Sequence, residues 1–76
     1  MTPTVYSKPA CVQCKFTKST MDKLGIAYET IDVTEDEQAL AHITGLGFQQ
    51  LPVVIAGDQK WAGFKPDKIK ELVAAA

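Results

Sequence analysis

The order of strand-like and helical segments in the first 33 residues restricts the fold more than any other feature. Residues 4–6 form a short β-prone run, and residues 26–33 form a second one. Between them a four-residue repeat begins at Val12, and Gly25 suits the end of a helix. The repeat consists of Val12, Phe16, Thr20 and Leu24. A helix that joins two strands in this way predicts a right-handed parallel crossover.

A second helix is predicted after this crossover. Thr34 and Glu37 have the spacing of a capping box, so Thr34 is expected to begin the helix. Gly45 and Gly47 are expected to end it. The inward-facing residues are expected to be Ala39, Leu40, Ile43 and Leu46.

A hairpin and a last helix complete the predicted order. The runs 51–55 and 59–61 flank a Gly-Asp pair, which predicts two antiparallel strands joined by a two-residue turn. Pro66 suits the first position of the final helix, whose inward residues are expected to be Ile69, Leu72 and Val73. The resulting βαβαββα order predicts an α/β domain with a four-stranded mixed sheet and helices on both faces.

Length and charge exclude several classes of function. A chain of 76 residues is expected to form one domain over residues 1–76, and its formal net charge of -1 argues against nucleic-acid binding. All eight basic residues are lysine, so the guanidinium fork that suits phosphate recognition is missing. We find no run long enough to span a membrane and no signal peptide, and therefore expect a cytoplasmic protein with no membrane partner. The chain is also expected to be a monomer.

The one concentrated chemical signal is the pair Cys11 and Cys14, which are separated by Val12 and Gln13. At the start of a helix, thiols with this spacing can close a disulfide. Cys11 would meet unpaired backbone N–H groups and the positive end of the helix dipole, and lysines precede and follow it closely in the sequence. Cys11 is therefore expected to be the attacking sulfur, and Cys14 the resolving one.

Other interpretations of the two cysteines remain. A purely structural disulfide across so short a loop would contribute only about 2 kcal/mol, and it predicts that reduction unfolds the domain. A zinc site normally needs four ligands, whereas the chain offers two thiols and a lone His42. We therefore expect no metal and no cofactor bound by a single chain. An iron–sulfur cluster or metal shared between two chains stays open as an alternative.

Pro52 is a second point of interest because it begins an otherwise strand-like run. A proline is tolerated at the start of a strand, and its peptide bond can be trans or cis. The residues around it leave both forms open.

Taken together, these motifs resemble those of the NrdH-type redoxins over essentially the whole chain. The resemblance lies in the Cys-Val-Gln-Cys motif after the first strand, the Pro-Val pair before the third, and the run 61–67 after the fourth. That run reads Trp61, Ala62, Gly63, Phe64, Lys65, Pro66 and Asp67.

This resemblance implies a thioredoxin fold with a cis bond between Leu51 and Pro52. It also implies that the backbone of Leu51 pairs with an extended partner peptide. Electrons would come from NADPH through thioredoxin reductase and pass to the disulfide of the large subunit of a class Ib ribonucleotide reductase. The residues expected to contact partners are Lys8, Val12, Gln13, Leu51, Pro52, Trp61, Gly63 and Phe64.

Glutaredoxins that depend on glutathione are the close alternative. They hold glutathione partly through two adjacent glycines and an acidic pair after the fourth strand. Here only Gly63 is present, Phe64 follows it, and one acid, Asp67, remains. Lys8 does not distinguish the NrdH-type redoxins from the glutaredoxins.

Trp61 is open to two interpretations, core packing or partner contact, because tryptophan is common in both settings.

Overall fold

The computed structural model describes residues 2–75, and the predicted βαβαββα order is confirmed. The strands are β1 (Thr4–Ser7), β2 (Glu29–Asp32), β3 (Val53–Ala56) and β4 (Gln59–Ala62). The helices are α1 (Val12–Lys23), α2 (Glu37–Gly45) and α3 (Pro66–Ala75). Within residues 2–75, no helix is long and apolar enough to cross a bilayer.

The four strands form one mixed sheet in the order β2-β1-β3-β4. β1 pairs in parallel with β2 and antiparallel with β3, and β3 forms an antiparallel hairpin with β4. The predicted crossover and hairpin are therefore confirmed, although β2 is shorter than the predicted run 26–33. Because Tyr6 of β1 lies opposite Val53 of β3, the end of β1 and the segment before β3 meet at one edge of the sheet.

Apolar side chains form a core on each face of the sheet. Neighbouring residues of a strand point to opposite faces, so Val54 packs with Met21 of α1 and Ile69 of α3, whereas Val53 packs with Ile43 of α2. The helices thus cover both faces, as predicted. Burial on both sides fixes the register of β3, because a slip by one residue would exchange its two faces.

The face that α1 buries is not formed by the four-residue repeat that predicted this helix. Val12 and Phe16, which belong to the four-residue repeat, are 63% and 53% exposed. The buried residues of this helix are Cys14, Thr17 and Met21. The repeat identified the helix correctly, but α1 turns a more polar stripe to the sheet and leaves apolar side chains in solvent. In α2 and α3, the prediction that Leu40, Leu46 and Val73 face inward is wrong, because all three are exposed.

The start of α2 also differs from the prediction. Asp36, and not Thr34, is the N-cap, and its carboxylate accepts from the N–H of Ala39 at 3.0 Å. Thr34 lies in the preceding turn, where its N–H and hydroxyl both donate to the carboxylate of Asp32. Aspartate and threonine are both good caps, so two candidates two residues apart compete.

One ionisable group in the loop between α1 and β2 gives the fold a pH dependence. Burial raises the pKa of Tyr28, and the neighbouring Asp22 carboxylate raises it further. Neutral Tyr28 is therefore favoured in the folded chain. Its contribution to stability is complete below the pKa of an unfolded tyrosine and is lost as pH rises through the raised pKa.

We expect the substitution Tyr28→Phe to weaken the alkaline loss of stability. The measurement is the free energy of unfolding in urea at several pH values from about pH 9 upwards, with unfolding monitored by circular dichroism. The wild-type chain should lose more stability than Tyr28→Phe over this range. Parallel curves for the two proteins would contradict the assignment.

Candidate active site

The two cysteines lie at the junction where the chain leaves the central strand β1 and enters α1. Cys11 is the N-cap of the helix, in an extended conformation, and Cys14 lies in its first turn. Ala10, just before Cys11, has a left-handed backbone with φ of 58°. The two sulfurs form a disulfide, and the Cα atoms are 5.2 Å apart. The structure therefore describes the oxidised form of the pair.

The surroundings of Cys11 favour negative charge on its sulfur. The backbone N–H of Cys14 donates to the Cys11 Sγ at 3.1 Å. The first turn of α1 carries no acidic residue, so no carboxylate on this turn repels a thiolate that is stabilised by the positive end of the helix dipole. A hydrogen bond to the charged form lowers the pKa of a thiol, and a thiolate is the nucleophilic form.

The two sulfurs differ in how deeply they are buried. Cys11 is 8% exposed and Cys14 is 2% exposed. An incoming disulfide can therefore approach Cys11 more readily than Cys14, which lies on the buried side of α1. The roles of attacking and resolving sulfur stay predictions.

Pro52 lies at the same edge of the sheet as the cysteines, immediately before β3. The Leu51–Pro52 peptide bond is cis, which confirms the form that the resemblance implied. Pro52 is buried and Leu51 is half-buried. Within residues 2–75, the backbone of Leu51 has no backbone hydrogen-bond partner, so its N–H and C=O are available to another chain.

The loop after β4 is the third segment of the site. The N–H of Gly63 donates to the carbonyl of Pro52 at 2.7 Å. The next amide, of Phe64, donates to the side-chain oxygen of Gln13 at 3.2 Å. Gly63 is buried and has φ of +85°, a conformation that glycine adopts without strain. Gly63 and Phe64 therefore contact both other segments.

Three apolar side chains lie next to one another beside the cysteines. Val12 and Phe16 are one helical turn apart on the exposed side of α1, and the ring centroid of Phe16 is 5.8 Å from that of Phe64. Phe16 was not among the predicted site residues. Its four-residue spacing from Val12 was visible in the sequence, but the repeat was assigned to helix formation and not to a surface.

Other predicted site residues have different surroundings. Trp61 is only 3% exposed and packs in the core with Val5 and Met21, as the core interpretation proposed, while its partner contact stays a prediction. Lys8 is exposed in the turn after β1. Gln50, which the sequence did not single out, has its Oε1 3.6 Å from the position that a Cβ at residue 63 would take.

Chemically, the arrangement can accept and donate an electron pair through one disulfide. Its components are a disulfide at a helix N-terminus, one sulfur more accessible than the other, and the backbone groups of Leu51, which have no backbone partner among residues 2–75. Among residues 2–75, no group of three or more His, Cys, Asp or Glu side chains is placed to hold a metal ion.

Comparisons with other proteins agree with this geometry. The glutaredoxin family model matches residues 4–61. The chain is 46% identical over 69 residues to the glutaredoxin-like protein NrdH of Escherichia coli K12, which covers 91% of this chain and 85% of that protein. It is 33% identical over 69 residues to the NrdH protein of Lactococcus lactis IL1403, with coverage of 91% and 96%.

A solved structure extends this similarity to three dimensions. The glutaredoxin-like NrdH-redoxin of Escherichia coli, described as having a thioredoxin-like activity profile, superposes with a TM-score of 0.93. The identity is 46%, and the match covers 95% of each chain. The predicted thioredoxin-like fold is thereby confirmed.

Proposed function

This chain belongs to the glutaredoxin family as an NrdH-type redoxin, and from that membership we propose a specific electron route through its two cysteines. The coarse activity, dithiol–disulfide oxidoreduction, follows from the family and from the Cys11–Cys14 pair. The finer proposal is that thioredoxin reductase, using NADPH, reduces the pair. The reduced pair then reduces the disulfide of the large subunit of a class Ib ribonucleotide reductase.

The first chemical step belongs to Cys11. Its thiolate attacks one sulfur of the partner disulfide and forms a mixed disulfide, and the other partner sulfur leaves as a thiolate that takes up a proton. The N–H of Cys14, which donates to the Cys11 Sγ, and the N-terminus of α1 stabilise the attacking charge.

The second step belongs to Cys14. After losing its proton, Cys14 attacks the sulfur of Cys11, the mixed disulfide breaks, and the second partner sulfur leaves as a thiol. The partner has gained two electrons, and this chain holds the Cys11–Cys14 disulfide that the structure describes. Thioredoxin reductase restores the dithiol by the reverse exchange.

We propose that the partner binds as an extended segment beside Leu51. The free backbone groups of this residue support pairing with a main chain, which tolerates many partner sequences. Val12 and Phe64 supply apolar contacts on one side of Cys11, and Lys8 supplies positive charge near the end of β1. Pro52, through its cis peptide bond, and Gly63, through its positive φ, set the backbone course of the segment before β3 and of the loop after β4.

The similarity to NrdH proteins over most of the chain is the observation that carries the choice of electron source. The loop after β4 supports it, because Phe64 stands where a second glycine would be needed for a glutathione clamp. Dependence on glutathione is the second candidate, and the match to the glutaredoxin family model favours it.

We expect the chain to accept electrons from thioredoxin reductase and not from glutathione. The experiment follows NADPH oxidation with insulin as the disulfide substrate, and it compares thioredoxin reductase alone with glutathione plus glutathione reductase. Omission of the chain from each mixture is the control. Turnover with glutathione only would contradict the proposal and favour a glutathione-dependent glutaredoxin.

We further propose that residues 1–76 act as one domain, as a monomer in the cytoplasm. A reducing cytosol keeps such a pair cycling between dithiol and disulfide, whereas disulfides of oxidising compartments persist. Sedimentation of the purified chain tests the oligomeric state. A separate assay, with the large subunit of a class Ib ribonucleotide reductase as the disulfide substrate, tests the proposed electron acceptor.

A further inference from the structure

One long-range hydrogen bond joins the turn that holds the cysteines to the loop after β4. The side-chain oxygen Oε1 of Gln13 accepts from the backbone N–H of Phe64 at 3.2 Å, across 51 positions of sequence. Gln13 lies between the two cysteines and is exposed. Water would satisfy an exposed glutamine equally well, so the bond matters more for the loop than for Gln13 itself.

A second hydrogen bond anchors the same loop to the segment before β3. The N–H of Gly63 donates to the Pro52 carbonyl at 2.7 Å. A Cβ at position 63 would lie 3.5 Å from the Gln13 Oε1, an ordinary contact distance, so glycine suits this position through its φ of +85° and not through the space beside Gln13. The two adjacent amides of the loop therefore hold the dithiol turn and the Pro52 segment together.

We propose that Gln13 is a specificity-determining positioning residue. It holds the loop formed by Gly63 and Phe64 against the dithiol turn, and its neutral oxygen occupies the Phe64 N–H. Backbone N–H groups bind carboxylates through strong, charge-assisted hydrogen bonds. A carboxylate carried by a small thiol on Cys11 would find this amide within the site but already filled.

The consequence is discrimination between classes of substrate. Glutathione, a small thiol with two carboxylates, gains no hydrogen bond from the Phe64 amide. An extended polypeptide loses nothing, because it pairs with the backbone of Leu51 instead. This inference rests on the proposed function in one respect: it takes this face as the one where partner disulfides bind.

Three variants separate the hydrogen bond from other effects of the side chain. Gln13→Met keeps a similar length and removes the amide oxygen, whereas Gln13→Glu keeps an oxygen acceptor. Gln50→Met is the matched control, since the Gln50 Oε1 lies 3.6 Å from the same Cβ position of Gly63. Within residues 2–75, Gln50 makes no hydrogen bond to Phe64.

The first measurement is hydrogen exchange at the Phe64 amide, observed by NMR. Exchange should be about tenfold faster in Gln13→Met than in the wild-type chain, the size expected for losing one hydrogen bond. Gln13→Glu and Gln50→Met should retain the wild-type protection. Equal protection in Gln13→Met and wild type would overturn the positioning role.

The second measurement is binding of S-methylglutathione, which carries the carboxylates of glutathione but cannot exchange thiols. Titration should shift the Phe64 amide resonance in Gln13→Met, with a Kd about tenfold lower than in the wild-type chain or Gln50→Met. Equal binding by Gln13→Met and Gln50→Met would overturn the specificity role. Neither measurement uses turnover, so a failed assay with thioredoxin reductase would refute the electron route and leave this assignment standing.

Discussion

Replacing Cys11 by serine should abolish disulfide reduction by this chain. A hydroxyl at the helix N-terminus does not ionise near neutral pH, so the variant has no thiolate to attack the partner sulfur. The measurement is insulin reduction coupled to NADPH oxidation through thioredoxin reductase. The fold should survive, because Cys11 lies at the N-cap, where serine is a favoured residue.

Cys14→Ser is the matched variant for the second step. Cys11 can still attack, but no second thiol releases the partner, so a mixed disulfide on Cys11 should accumulate. Mass spectrometry of the trapped complex after proteolysis locates the linkage. An adduct on Cys14 of the Cys11→Ser chain, with none on Cys11 of Cys14→Ser, would reverse the two roles.

Trp61→Ala should have the largest effect on stability. Trp61 is 3% exposed in the core cluster with Val54, Met21 and Ile69. Truncation of a buried tryptophan typically costs about 3–5 kcal/mol. A domain of this size has a total stability of roughly 4–11 kcal/mol, so much of it should be lost. Urea unfolding followed by circular dichroism gives the difference in free energy.

Trp61→Phe is the control that separates packing from the polar indole group. Within residues 2–75, the indole N–H of Trp61 is buried without a hydrogen-bond partner, and such a group costs about 1–3 kcal/mol. Phenylalanine removes this cost and keeps most of the aromatic packing. The loss should therefore stay below about 1.5 kcal/mol. A loss equal to that of Trp61→Ala would contradict this prediction.

Features of the fold with a local physical cause were predictable from the sequence. Gly25 follows the end of α1 with φ of 72°, because glycine adopts a positive φ without strain, and Pro66 begins α3, because its fixed φ suits the first helical position. The choice of buried helix face depends on what the rest of the chain presents. The spacing of Val12 and Phe16 therefore indicated a helix but not which of its faces is buried.

The residues of the candidate site also divide into those that a local sequence pattern predicts and those that only long-range contacts bring together. Cys11 and Cys14 were predictable because three residues of spacing place both sulfurs in one helical turn. The contact of Gln13 with Phe64 joins positions 51 residues apart and leaves no local pattern. The burial of Trp61 is likewise set by packing between strands and helices that are distant in sequence, so composition alone left its role undecided.

The assembly of the site from three distant segments has a consequence for the newly made chain. Cys11 and Cys14 leave the ribosome first, whereas Pro52 and the Gly63 loop follow after much of the chain has been made. Until β3 pairs with β1, the segments that we propose select partners are not held beside the cysteines. Selection of partners, as proposed, therefore depends on pairing between β1 and β3 and is completed only after both cysteines have been synthesised.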